Sequence, residues 1–374
     1  MKKTLTVSGL ALLVALAYLL WWPVPIEPVA WQAPAFAGYT GPYARNDRLA
    51  SARAIPVAPD VGPEHIAFGP DGRLYTGVLS GSVLRMNADG SGLETFVNTG
   101  GRPLGLDFTG SGSLVVADAV RGLLEVRPDR SVTVLADRLD GSPILYADAV
   151  AVAANGYVYL TDATGRFSPR QLGTFQAALF DVMEHSCTGR VLEYRPDDRR
   201  LRVVMTHLCF PNGVVLAGDQ AHLFIAETGE YRIWKVDTDA QAVDARVAGG
   251  PAGDSAARVV LADLPGFPDN LTRDASGRLW TGLSKPRSEV MDRLSGWPRV
   301  RAMTLRLPQA WWPVPPAYGH VIAFTEDGRI LADLQDPEGR IPETSGVTEH
   351  DGNLYVQSLH GEALGVLPDA AAGL

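Results

Sequence analysis

Asp71-Gly72-Arg73-Leu74-Tyr75-Thr76-Gly77 sets a two-residue turn in front of a short β-type run, and the chain repeats this phrase five more times. The other turns are Ser111-Gly112, Asn155-Gly156, Asp219-Gln220, Ser276-Gly277 and Asp351-Gly352, followed by runs such as Tyr157-Val158-Tyr159-Leu160-Thr161 and Arg278-Leu279-Trp280-Thr281-Gly282. Several units continue into a second run of the same kind, for example Ser82-Val83-Leu84-Arg85-Met86 and Arg232-Ile233-Trp234-Lys235-Val236. Three or four antiparallel strands in a unit of roughly 40 residues make a propeller blade, so six units predict an all-β, six-bladed β-propeller. A two-sheet sandwich also spaces its strands evenly. The difference lies in register: eight places before the second turn residue stand Glu64, Leu104, Asp148, Asn212, Asp269 and Thr344. A position in fixed register falls on one ring around a common axis, and carboxylates with an amide on such a ring read as a metal site.

Composition agrees. Gly 39 and Pro 27 supply turns for a long repeat ring, and a net charge of -9 without a basic run excludes a nucleic-acid partner. Lys2 and Lys3 precede an uncharged stretch from Thr4 to Trp22 that ends in Tyr18, Trp21 and Trp22. This predicts an N-terminal transmembrane helix with its basic end in the cytoplasm. Ala35-Phe36-Ala37 resembles a signal cleavage site but lies far beyond the apolar core, which favours an uncleaved anchor. The expected organisation is an anchor over 1–22, a Pro-rich linker over 23–50 acting as a stiff spacer, and the propeller over 51–374. The propeller is then on the non-cytoplasmic side, periplasmic or extracellular.

In that oxidising setting Cys187 and Cys209 are either a disulfide bracing the loop of Asn212 or two buried thiols, and spacing leaves both open. Three insertions interrupt the repeat. Thr164 to Thr188 predicts a helix over Gln171 to Glu184, and Ser284 to Pro316 predicts one around Ser288 to Leu294; both are expected as helical lids. Thr238 to Arg258 is expected as a plain surface loop. The aromatic lid residues could also rest on a membrane.

Phe210-Pro211-Asn212-Gly213-Val214, Ile225-Ala226-Glu227-Thr228, Gly266-Phe267-Pro268-Asp269-Asn270 and Glu349-His350-Asp351-Gly352 resemble the strictosidine synthase-like family, over nearly all the chain after residue 50. The likeness is greatest to its adipocyte plasma membrane-associated type, and more distant to paraoxonases and gluconolactonases. That resemblance implies a six-bladed propeller with a calcium site, on which Glu64, Asn212 and Asp269 match the ligands of gluconolactonase-like members and Asn270 a further ligand of paraoxonase-like ones. It also marks departures. An Asn ligand is replaced at Ala147, the paraoxonase histidines fall on Leu104 and Asp118, and the carboxylate of true strictosidine synthases falls in Ser345-Gly346.

Calcium takes six to eight oxygen ligands, so two carboxylates and an amide leave positions for water and a substrate carbonyl. The expected activity is therefore a membrane-anchored, calcium-dependent hydrolase of lactones or aryl esters. In it Glu64, Asn212, Asp269 and Asn270 hold the metal, and Asp269 or Asp148 accepts the proton of water. The alternative is a non-enzymatic, metal-stabilised propeller binding a protein, lipid or small ligand. Each residue also has a plain reading: a carboxylate at an inner strand binds backbone N–H groups, and Asn212 between Pro and Gly suits a turn. The seven histidines show no zinc spacing, and only His65 and His360 stand out as neighbours of the site. No nucleophile elbow or phosphate loop occurs.

Overall fold

Strands such as Leu114–Asp118 and Val158–Asp162 are buried along their whole length, which alternation with water on one side cannot produce. Their setting explains it. In the computed structural model, which describes the backbone of residues 2–248 and 256–373, each sheet is packed by another on both faces. Side chains are described from residue 12 onward, with those of Ser8 and Leu10.

Six sheets form the blades, five of four strands and one of five among the described residues. Their innermost strands are Ile66–Phe68, Pro103–Phe108, Ala147–Val152, Pro211–Leu216, Gly266–Arg273 and Thr344–His350. Each touches the next, and the last returns to the first. Two inner glycines set how closely: a Cβ on Gly213 would lie 2.3 Å from the Leu271 nitrogen, and one on Gly105 2.6 Å from the Ala149 Cα.

The ring is closed by the chain's two ends. Arg53–Pro56 pairs antiparallel with Ala363–Pro368, Arg53 opposite Val366, as the outermost strand of the last blade. Ile55 and Val57 then fill the seam with Leu74, Met86 and Leu364. Burying one such aliphatic side chain stabilises the fold by about 1.5–3 kcal/mol.

The first insertion forms two helices, Pro169–Leu172 and Thr174–Glu184, where one was expected, because Gly173 at φ +76° breaks the run. The second contains Glu289–Arg293, capped by the Ser288 hydroxyl on the Met291 N–H, and a further helix, Pro298–Thr304. The third is not a plain loop. It adds Val243–Asp244 in parallel to Arg200–Leu208 and a helical turn, Ala245–Ala248, while residues 249–255 lie outside the described residues.

The N-terminal helix runs Lys2–Trp21. Among the described residues no helix is long and apolar enough to cross a membrane; the side chains of 1–7, 9 and 11, on which the anchor reading partly rests, lie outside them. The segment expected as a stiff spacer makes contacts along the propeller. Val29 donates to the Glu184 carbonyl at 2.8 Å, Trp31 stacks on His185 at 3.9 Å, and Asn46 donates to the Asp333 carboxylate at 2.9 Å.

Candidate metal centre

Five of the six inner strands carry a register shift at the ring position: Pro103/Leu106, Ala147/Val150, Pro211/Val214, Pro268/Leu271 and Thr344/Val347. A bulge re-aims a side chain that the pleat would send elsewhere. All six ring residues are buried, Glu64 included, which stands just before its strand and has no bulge.

Glu64, Asp148, Asn212 and Asp269 line one cavity together with Arg102 and Tyr146. Asn270 joins them, its amide donating to the Glu64 carboxylate at 2.8 Å and to the Glu64 carbonyl at 2.9 Å, where Ser345 Oγ also donates. The Asn212 carbonyl accepts from Thr161 Oγ1 at 2.7 Å, and Asp269 accepts from the Asn270 N–H at 3.1 Å. Three oxygens then remain buried without a hydrogen-bond partner: Glu64 Oε2, Asn212 Oδ1 and Asn270 Oδ1. Each such acceptor costs about 1–3 kcal/mol, and a shared cation is the ligand that acceptors alone can satisfy.

Electrostatics agree. Burial pushes Glu64 up to about 7, against the opposing pull of Arg102 and the Asn270 hydrogen bond. Burial, then the charges of Glu64 and Asp269, raises Asp148 well above the ordinary range; burial and then Glu64 do the same to Asp269, although Ser284, Asn270 and Asn212 hydrogen-bond to it. Glu64 and Asp148 face one guanidinium, that of Arg102, and Asp269 adds a third carboxyl beside them, so burial and mutual repulsion hold all three up in a way that a bound cation would relieve. Oxygen donors of this mixed kind fit a hard ion such as calcium.

The other two ring positions supply no ligand. Leu104 packs into the apolar cluster under the lid, and Thr344 Oγ1 exchanges hydrogen bonds with the His320 backbone at 2.8 Å. Asp118 is committed to the backbone, accepting from Arg102, Val120 and Arg121 N–H groups and from Thr99 Oγ1. His65 accepts the Leu106 N–H at 3.3 Å and lines a different space; burial lowers it to about 4, so it is a neutral packing group. His360 does line the cavity.

Above Asn212 and Asp269 opens an apolar chamber of about 130 Å³, walled by Phe175, Leu179 and Val182 of Thr174–Glu184, by Phe210 and Phe267, and by Met291 and Val314 of the second insertion. Both insertions thus face the ring. Cys187 and Cys209 are joined across a separation of 22 residues beside the strand that carries Asn212. With His185 they are the one His/Cys/Asp/Glu trio among the described residues whose ligand atoms lie within 4.8 Å of one another, but the sulfurs are spent in the disulfide. The oxygens of Glu64, Asp148 and Asp269 do not all lie within that distance of one another. The sequence pattern had not singled out Arg102, Tyr146, Lys285 or Glu343.

Fold and site define a six-bladed propeller with an oxygen-lined, lid-covered centre. The chain belongs to the strictosidine synthase-like family: the descriptions "Strictosidine synthase-like, N-terminal" and "Strictosidine synthase" match residues 41–86 and 148–240. The protein strictosidine synthase-like 13 of Arabidopsis thaliana is 30% identical over 352 residues, 84% of this chain and 83% of that one. The human adipocyte plasma membrane-associated protein is 31% identical over 362 residues, 90% of this chain and 82% of that one. Among solved structures, a gluconolactonase from Xanthomonas campestris superposes with a TM-score of 0.59 at 19% identity, covering 91% of this chain and 99% of its own. A calcium-binding regucalcin from Agrobacterium tumefaciens gives 0.55 at 15%, covering 85% and 93%. At these identities the likeness is one of fold.

Proposed function

We propose that the protein is a calcium-dependent hydrolase of lactones or aryl esters, anchored by residues 1–22 with its propeller outside the cytoplasm. The observation that carries the metal is a set of buried, unpaired acceptors, Glu64 Oε2, Asn212 Oδ1 and Asn270 Oδ1, of which Glu64 and Asn212 line one cavity with Asp269 and Asn270 is hydrogen-bonded to Glu64. Fold neighbours that include a gluconolactonase and a calcium-binding regucalcin support the reaction class. A relative named for its association with the plasma membrane supports the location.

When bound, the ion polarises a carbonyl and stabilises the oxyanion that develops on it. The chain's own groups do the rest. The apolar chamber holds the substrate's hydrocarbon part and excludes water, while Asp269 or Asp148 accepts the proton of the attacking water. The alternative of a binding propeller has Leu104 and Asp118 in its favour, since neither offers a base where paraoxonases have histidines. The two readings part in one assay: turnover of lactones and aryl esters that is lost on chelation and restored by calcium supports the hydrolase, and no turnover with calcium present supports the binding propeller.

A further inference from the structure

His360 stands in the turn between Asn353–Ser358 and Ala363–Pro368, and its ring lines the cavity on the Asp269 side and on the Glu64 and Asp148 side alike. Its Nδ1 is hydrogen-bonded to Glu343 Oε2, and the other oxygen of Glu343 accepts from Lys285 Nζ. Burial by itself would raise Glu343, but the hydrogen bonds from His360 and Lys285 outweigh it and hold the carboxyl at about 2. A carboxylate can only accept, so Nδ1 is the donor and Nε2 is the atom left to exchange a proton. The hydrogen bonding of this ring among the described residues is at Nδ1 alone.

The backbone holds the arrangement. Leu359 N–H donates to the Glu343 carbonyl at 3.1 Å, and Gly62 N–H to the Gly361 carbonyl at 2.8 Å. Glu343 itself sits at φ +51°, a left-handed conformation that a side-chain-bearing residue adopts at a cost of roughly 1 kcal/mol or more. The Glu343 side chain is 14% exposed and that of Lys285 15%, so this pair is held largely away from water beneath the more open His360 ring.

We propose that His360, oriented by Glu343 and Lys285, is the general acid of this site, giving its Nε2 proton to the alkoxide that leaves the substrate. The proposal rests on the hydrolase reading above. Water oxygen bonds to the acyl carbon while its proton passes to Asp269 or Asp148. The acyl–oxygen bond then breaks with its electron pair on the departing oxygen, which takes the His360 proton. Solvent removes the proton from the carboxylate and restores one to the imidazole, so an ester gives a carboxylic acid and an alcohol, and a lactone a single hydroxy acid, with no redox change. Glu343 and Lys285 are positioning residues. The other charged groups facing the ring's space are Glu64, Arg102, Asp148 and Asp269, with Tyr146 beside them.

The test compares His360→Gln with wild type on an aliphatic lactone, which has a poor leaving group, and on a p-nitrophenyl ester, which has a good one. Loss of a general acid lowers kcat on the lactone about a hundredfold and on the nitrophenyl ester less than about tenfold, with the calcium-induced rise in Tm unchanged. Ring 15N shifts should show Nδ1 protonated across the titration in wild type and a mixture of tautomers in Glu343→Gln. Equal losses on both substrates, no loss, or a Tm that no longer responds to calcium overturn the role of His360 and leave the hydrolase reading standing. Wild type inactive on both substrates overturns both.

Discussion

Asp269 and Glu64 both reach the central cavity, yet their surroundings assign them different work. Asp269 accepts hydrogen bonds from Asn270 and Ser284 and lines the apolar chamber, whereas Glu64 accepts from the Asn270 side chain and does not line that chamber. Asp269→Asn keeps an oxygen and nearly the same shape, so turnover should fall at least about a hundredfold while Tm in excess calcium barely moves. Glu64→Gln should weaken calcium binding, with activity partly recovered at high calcium. Glu64 also sets a pH dependence. Its folded value is raised to about 7 from 4.5, so between those values the native state binds more protons than the unfolded state. Stability without calcium therefore falls as pH rises through that window. The calcium-induced gain in Tm should be larger at pH 8 than at pH 5, and an equal gain at both would count against Glu64 as a ligand. Glu64, Asn212 and Asp269 were legible in the sequence because a fixed offset from a turn becomes a fixed height in a ring. His360 had stood out only as a neighbour of the site, and its partners Lys285 and Glu343 were not legible, because the three come from two blades with no shared period and meet only through the fold.

At the scale of elements, the disulfide closes a loop across 22 residues beside the strand of Asn212. Cross-links of that span contribute roughly 3 kcal/mol, so Cys187→Ser with Cys209→Ser should lower unfolding stability by about that amount. Calcium affinity should fall with it, read by thermal shift, because the strand end bearing Asn212 loses its brace; an unchanged affinity would separate brace from site. Helices with a strong start signal were readable, as Ser288 before Glu289–Arg293 illustrates. Pro298–Thr304 was not, since its N-cap Trp297 supplies no side-chain oxygen. The prolines of 23–50 suggested a spacer, but what ties this segment down is backbone hydrogen bonding to Glu184 and Ser295, which composition does not reveal.

At the scale of the whole molecule, the six-fold phrase of turn and strand was enough for the propeller, because each unit must bury both faces against its neighbours. What the phrase did not contain is the closure by Arg53–Pro56, a single strand without a turn of its own. If residues 1–22 are an uncleaved anchor, the protein should stay with membranes after an alkaline wash and a C-terminal reporter should be active outside the cytoplasm; a mature chain beginning near Gly38 would show cleavage. The centre of the ring is tested most directly by calorimetric titration of calcium into chelator-stripped protein at pH 7 in two buffers of different ionisation enthalpy. One site per chain, with protons released as Glu64, Asp148 and Asp269 give up their raised values, and with binding weakened in Glu64→Gln, is the predicted result. Absence of binding, or binding without proton release and unaffected by Glu64→Gln, would contradict it.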